Sequence, residues 1–264
     1  MISNAPPHFE SIELVLTYRC NLTCPNCIRL AGKSGTDLGL RNQDQDMDLK
    51  DVERVVTEIQ RIGNRIAVRP LVGFVCLTGG EATLNKNLEA AFEMCDRGLV
   101  KTGLTTSLFI NSNGTVPPPP SLLDKTVTFS TPQQKLQGHI AMFCDIGGTS
   151  FERCTHYRKW RIVAAKQGFL MCCAAEGYAR LMGRDDLWSK HLPTNPWNFP
   201  LEKMWEVCSH CAFCKEGNGA PLESAVGSPM SPFFQQFLKQ RQEPQSICWI
   251  CNASPCDCIR LGLR

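Results

Sequence analysis

Cys20, Cys24 and Cys27 stand near the amino terminus with three and then two residues between them. One short loop with that spacing can bring three thiolates to corners of one small metal centre, leaving a further corner without a protein ligand. Soft sulfur ligands select zinc or iron–sulfur centres. A cuboidal 4Fe–4S cluster is normally held by four thiolates, so three from one loop leave an iron open to another ligand. A zinc knuckle and a set of buried thiols are the plainer alternatives.

The elements that must position this loop follow from the apolar pattern. Glu13 to Thr17 reads as a buried strand leading into the cysteines. Ala31 to Asp46, rich in Gly, Asp, Asn and Gln, reads as a flexible connection. Asp48 offers an N-cap and Asp51 an acidic first turn, while Val52, Val55, Val56, Ile59 and Ile62 recur at helical spacing. A helix is therefore expected over Leu49 to Ile62, stopped by Gly63. Pro70 to Leu77 is an apolar run suited to a strand covered on both faces, and it delivers Thr78, Gly79, Gly80 and Glu81. A second helix is expected over Asn85 to Arg97, ended by Gly98, and a third strand over Thr105 to Ile110. That strand leads to Asn111, Ser112, Asn113, Gly114 and Thr115, which would otherwise be a simple Asn-Gly turn. Pro117 to Pro120 is an extended spacer, and Val127 to Ser130 and His139 to Phe143 read as two more strands.

Strand, cysteine loop, helix, strand and Gly-Gly-Glu in this order resemble the radical SAM superfamily. The resemblance implies that Cys20, Cys24 and Cys27 hold a 4Fe–4S cluster whose open iron is chelated by S-adenosylmethionine (SAM). Gly79, Gly80 and Glu81 would hold the SAM amino group, and Ser112 and Asn113 would contact its ribose or methionine portion. One departure is Asn26, where the family usually carries an aromatic residue near the adenine. The implied fold is α/β, a partial (β/α) barrel expected in reduced form, since the chain is short for six strand–helix units. The implied chemistry is reductive cleavage of SAM to a 5′-deoxyadenosyl radical that removes hydrogen from a substrate, with a flavodoxin or ferredoxin as electron donor. No side chain is singled out as a proton donor or acceptor.

From about Gly147 short cysteine- and tryptophan-bearing segments replace the strand–helix alternation. The expected division is a core over 1–146 and a cysteine-rich domain over 147–264. Gln167 and Gly168, inside Val163 to Met171, make a hairpin turn that would bring Cys154 and Cys173 together, with Cys208, Cys211 and Cys214 closing a site for an iron–sulfur cluster or zinc. Strand alternation would put Cys172 on the face opposite Cys173, making Cys173 the ligand; Cys211 and Cys214 are preferred over Cys208. The layout resembles the SPASM or twitch extension of radical SAM enzymes, which implies at least one auxiliary 4Fe–4S cluster; Gly183, Trp188 and Leu201 to Trp205 fit its connecting segment. Cys248, Cys251, Cys256 and Cys258 could hold a further cluster or zinc, and Cys76, Cys95 and Cys144 read as core thiols.

The chain has 264 residues, 16 of them cysteine, and a formal charge of +3 that says little about partners. No apolar run approaches a membrane span, and Met1 to Phe9 lacks signal-peptide character. A reducing, cytoplasmic setting is expected, in which many cysteines favour metal thiolates over disulfides. The short lead-in also leaves no room for a leader-peptide recognition module. A small-molecule or nucleotide-type substrate is therefore expected, with peptide modification through a separate recognition partner as the alternative, and a zinc-ribbon binding protein as the non-enzymatic one. The basic and aromatic run Arg153 to Arg161 could meet a nucleotide or nucleic acid, but reads more simply as a solvated face. Asp185 and Asp186 read as solvated carboxylates.

Overall fold

The computed structural model describes residues 9–22, 24, 27, 29–32, 40, 46–66, 69–128, 159–194, 199, 201–209 and 211. Its centre is a mixed α/β core around one six-stranded sheet. The strands are β1 (Phe9–Thr17), β2 (Val72–Gly79), β3 (Thr105–Asn111), β4 (Thr126–Val127), β5 (Arg161–Ala165) and β6 (Gly168–Leu170). Their order is β4-β3-β2-β1-β5-β6, parallel throughout except for the antiparallel β5–β6 hairpin. β1 lies between β2 and β5 and is buried along almost its whole length, which explains its near-continuous apolar sequence.

Helix α1 (Leu49–Arg65) joins β1 to β2. Asp48 caps it in a reciprocal capping box with Asp51, as the sequence implies. Val52, Val55, Val56, Ile59 and Ile62 form its buried face, each contributing about 1.5–3 kcal/mol by burial. Gly63 does not stop this helix. It lies within it, where a Cβ would stand 2.2 Å from Leu104 Cδ2, so its smallness serves close packing. The second helix, α2 (Leu88–Cys95), likewise runs past its expected end into a π-helical turn over Asp96–Val100. Gly98 sits in that turn against Val56, whose Cγ1 would be 2.5 Å from an added Cβ.

The expected boundary after residue 146 falls between β4 and β5 of this one sheet. β5 pairs with β1 from Ser11↔Arg161 to Leu14↔Ala164, and Glu58 of α1 accepts from Leu192 N–H at 3.1 Å. The expected hairpin is present, but its turn is Lys166 and Gln167 rather than Gln167 and Gly168, because Gly168 already pairs with Ala165 as the first residue of β6. It leads to α3 (Cys173–Met182), which ends at Gly183 in the left-handed region (φ 66°), and later comes α4 (Leu201–Ser209). The expected strand over Val127 to Ser130 appears only as β4; its last residues and the strand over His139 to Phe143 lie outside the described residues. Among the described residues no helix is long and apolar enough to cross a membrane.

Candidate functional site

Parallel pairing places the carboxyl ends of three strands side by side. Thr17 of β1 pairs with Gly79 of β2, and Leu77 of β2 with Ile110 of β3. The segments that follow, Tyr18 to Leu22, Gly80 to Thr83 and Ser112 to Thr115, therefore gather at one edge of the sheet. In open α/β sheets this edge is where ligands bind.

Backbone hydrogen bonds tie the first two segments together. Gly80 N–H donates to Thr17 O at 2.8 Å and Glu81 N–H to Arg19 O at 2.9 Å. Only glycine permits this approach: a Cβ on Gly80 would stand 2.5 Å from Arg19 O and 2.7 Å from Ala31 Cβ. Asp46 steadies the start of the loop, accepting from Thr17 Oγ1 at 2.5 Å and pairing with Arg19 Nε at 2.9 Å. Gly32, at φ 57°, folds the end of the loop back so that an added Cβ would be 2.5 Å from Cys20 O.

Glu81 is 1% exposed. Its carboxylate accepts from Asn113 N–H at 2.6 Å, Thr83 N–H at 3.1 Å and Thr83 Oγ1 at 2.8 Å. No basic side chain pairs with it among the described residues. A buried carboxylate is ordinarily paired with a cation, and four lone-pair sites with three donors leave room for one more. Ser112 and Asn113 are both buried. Asn113 also directs its side-chain amide to Cys20 Sγ at 3.7 Å and to Asn21 Oδ1 at 3.0 Å.

Cys24 is buried and Cys20 and Cys27 are partly so. Burial pushes the Cys20 thiol up, Leu22 N–H opposes this through a hydrogen bond to the sulfur, and the Cys27 and Glu81 charges reach it. Among the described residues no three His, Cys, Asp or Glu side chains converge on a single ion. A cubane makes a different demand: each thiolate binds its own iron, so its ligands stand further apart than those of one ion. Three soft donors on a loop pinned at Thr17 and Gly32, beside a buried carboxylate, suit that group.

The second cysteine set is described in part. Cys172 and Cys173 do not alternate on a strand: Cys172 caps α3, its sulfur accepting from Ala175 N–H at 3.4 Å, and Cys173 is the first helical residue. Cys173 keeps some surface yet sits deep among packed groups; burial pushes its thiol up, and the charges of Glu13, Arg29, Glu176 and Cys211 act on it. Cys208 and Cys211 are buried at the end of α4, with Cys211 N–H donating to Cys208 O at 3.2 Å. Cys154, Cys214, Cys144 and the four tail cysteines lie outside the described residues, as does Asn26. Cys76 and Cys95 are core thiols, each pushed up to about 12 by burial.

The basic run is accounted for locally where it is described. Lys159 and Arg161 pair with Glu10 at 3.5 and 2.9 Å, and the Trp160 ring packs 5.5 Å from Phe9. Asp186 pairs with Arg184 and Lys203, and the Arg184 hydrogen bond holds its carboxyl well below the usual range.

Sequence reasoning missed a buried charge set built from Glu13, Arg29, Glu176 and Arg180. Arg29 donates to Glu13 and to Glu176, and Arg180 to the carbonyls of Arg29 and Leu30. Burial would lower the Arg29 guanidinium, but Glu176 and Glu13 outweigh it and keep it protonated. Burial pushes Glu176 the other way, toward neutrality, against Arg29. Its direct contact with a guanidinium that both carboxylates hold favours the ion pair. The legible signal was Glu176 and Arg180 at i, i+4 inside the otherwise uncharged stretch Ala174 to Leu181, all of it buried, since charges there must find partners.

Comparisons with protein-family models and with curated proteins return no match. Among solved structures, the chain is similar to the crystal structure of BtrN in complex with AdoMet and 2-DOIA, at 12% identity and a TM-score of 0.40 over 78% of this chain and 89% of that one. A likeness this distant carries no functional argument.

Proposed function

We propose that the chain is a radical SAM enzyme in which Cys20, Cys24 and Cys27 hold a 4Fe–4S cluster and Glu81 receives the amino group of SAM. Glu81 carries this assignment. Among the described residues it is a buried carboxylate with neutral donors alone, set by Gly79 and Gly80 against the strand end that opens the cysteine loop. An ammonium from a bound ligand would supply the missing cation.

The chain's own residues then have defined tasks. Gly80 allows the close backbone approach, Asn113 N–H holds the Glu81 carboxylate in place, and the Asn113 amide steadies Cys20. Cys20, Cys24 and Cys27 would hold the cluster, which when bound and reduced would supply the electron for reductive cleavage of SAM. Cys173 and Cys211, with Cys154 and Cys208 or Cys214, are the proposed ligands of an auxiliary cluster, and a flavodoxin or ferredoxin the proposed electron donor. A small-molecule or nucleotide-type substrate is proposed on the sequence pattern alone.

Anaerobic reconstitution with iron and sulfide tests the cofactor assignment. Iron, sulfide and a thiolate-to-iron absorption band should be present in the wild type, and one cluster's worth of iron should be missing when Cys20, Cys24 and Cys27 are all replaced by Ala. Zinc uptake with no iron at these residues would reject it.

A further inference from the structure

Arg180 of α3 spans the neck of the loop that carries Cys20, Cys24 and Cys27. Gly32 N–H donates to Tyr18 O at 2.8 Å, so the residues on either side of the cysteines meet. Across that neck Arg180 Nη1 donates to the carbonyls of Arg29 and Leu30, the latter at 3.1 Å from 150 positions along the chain. The same guanidinium lies 3.6 Å from the Tyr18 ring centroid. A planar guanidinium can stack on a ring and donate in its plane at once, which the compact ammonium of lysine cannot do.

The backbone that Arg180 holds is strained. Leu30 sits at φ 49°, in the left-handed region that a side chain with a Cβ disfavours. Such a residue persists only where its surroundings over-determine it, and such residues cluster at ligand sites. The Leu30 side chain is buried and its N–H donates to Cys27 O at 3.0 Å. Its carbonyl is held by Arg180, itself buried.

We propose that Arg180 is a positioning residue for the amino-terminal metal loop, holding Leu30 in its left-handed turn and so fixing Cys20, Cys24 and Cys27 relative to Glu81. This rests on the reading of those cysteines as cluster ligands and of Glu81 as the SAM contact. Arg180 acts through the loop backbone and touches neither group. Loosening the neck leaves three thiols able to take up iron but removes their fixed relation to Glu81. SAM affinity then falls while iron content holds.

The test compares wild type, Arg180→Lys, Arg180→Met and the α1 core truncation Ile59→Val as full chains reconstituted anaerobically with iron and sulfide. Calorimetry with SAM and deuterium uptake of the peptide carrying Leu30 and Gly32 are read beside iron content and the urea midpoint. Arg180→Lys should weaken SAM binding on the order of tenfold, the worth of one hydrogen bond to a charged group, and Arg180→Met should weaken it further. Both should keep their iron and take up deuterium faster at Leu30 and Gly32. Ile59→Val should lower the urea midpoint and leave both readouts as in the wild type. Wild-type affinity and exchange in both Arg180 variants, or equal changes in Ile59→Val, overturn this proposal and leave the cluster reading standing. Where Arg180→Met does not fold, Arg180→Lys decides; failure of both to fold overturns the proposal, since Arg180 would then serve the fold at large. A wild-type chain that takes up no iron at Cys20, Cys24 and Cys27, or binds no SAM, overturns that reading and this proposal together.

Discussion

The side-chain amide of Asn113 lies 3.7 Å from Cys20 Sγ, at the point where the carboxyl end of β3 meets the cysteine loop. The same residue's N–H donates to Glu81 at 2.6 Å. One side chain and its backbone thus couple the loop to the Gly-Gly-Glu segment.

Replacing Glu81 by Gln removes the charge but keeps the shape. A hydrogen bond to a charged group is worth about 1.5–3 kcal/mol, so SAM affinity should fall about 10- to 100-fold with iron content unchanged. Asn113→Ala, which leaves the backbone donor in place, should weaken binding less than Glu81→Gln. Anaerobic calorimetry with SAM checks both; unchanged affinity in Glu81→Gln would remove Glu81 from the binding site.

Gly80→Ala should destabilise the fold as well as the site. The new Cβ would meet Arg19 O at 2.5 Å and Ala31 Cβ at 2.7 Å, and overpacking of this kind costs about 1–3 kcal/mol. The melting temperature should drop by on the order of 5 °C. An unaltered melting curve would mean that the two segments are not held in this contact.

Acid should loosen the junction between α1 and the segment after α3. Burial pushes the Glu58 carboxyl up, but hydrogen bonds from Arg61, His191 and Leu192 N–H outweigh it and hold it below its ordinary 4.5. A carboxyl depressed on folding contributes stability that is fully present above about 4.5 and lost as pH falls through the lower folded value. Urea midpoints measured from pH 7 to pH 3 should therefore decline more steeply for the wild type than for Glu58→Gln. Parallel declines would show that this carboxylate is not coupled to folding.

Much of the site's framework was legible because it follows short-range rules. The helical period of Val52 to Ile62, the Asp48 cap and the apolar runs before Cys20 and Gly79 each point to one element, and each is present. Gly63 and Gly98 misled because a glycine that ends a helix and one that admits a neighbouring side chain look alike in sequence; Leu104 and Val56 decide the matter, and both are distant in the chain. Cys172 was read by strand alternation, whereas its sulfur caps a helix. The pairing of β5 with β1 and the bridge from Glu13 through Arg29 to Glu176 were hidden for a further reason. They join residues more than a hundred positions apart, and no local period encodes such a partner.

Reductive cleavage of SAM tests the central claim most directly. Anaerobically reconstituted protein, given dithionite and SAM, should form 5′-deoxyadenosine, and Cys24→Ala should form none. Wild-type protein that carries a full complement of iron yet yields no 5′-deoxyadenosine, or a Cys24→Ala variant that yields as much as the wild type, would contradict the account.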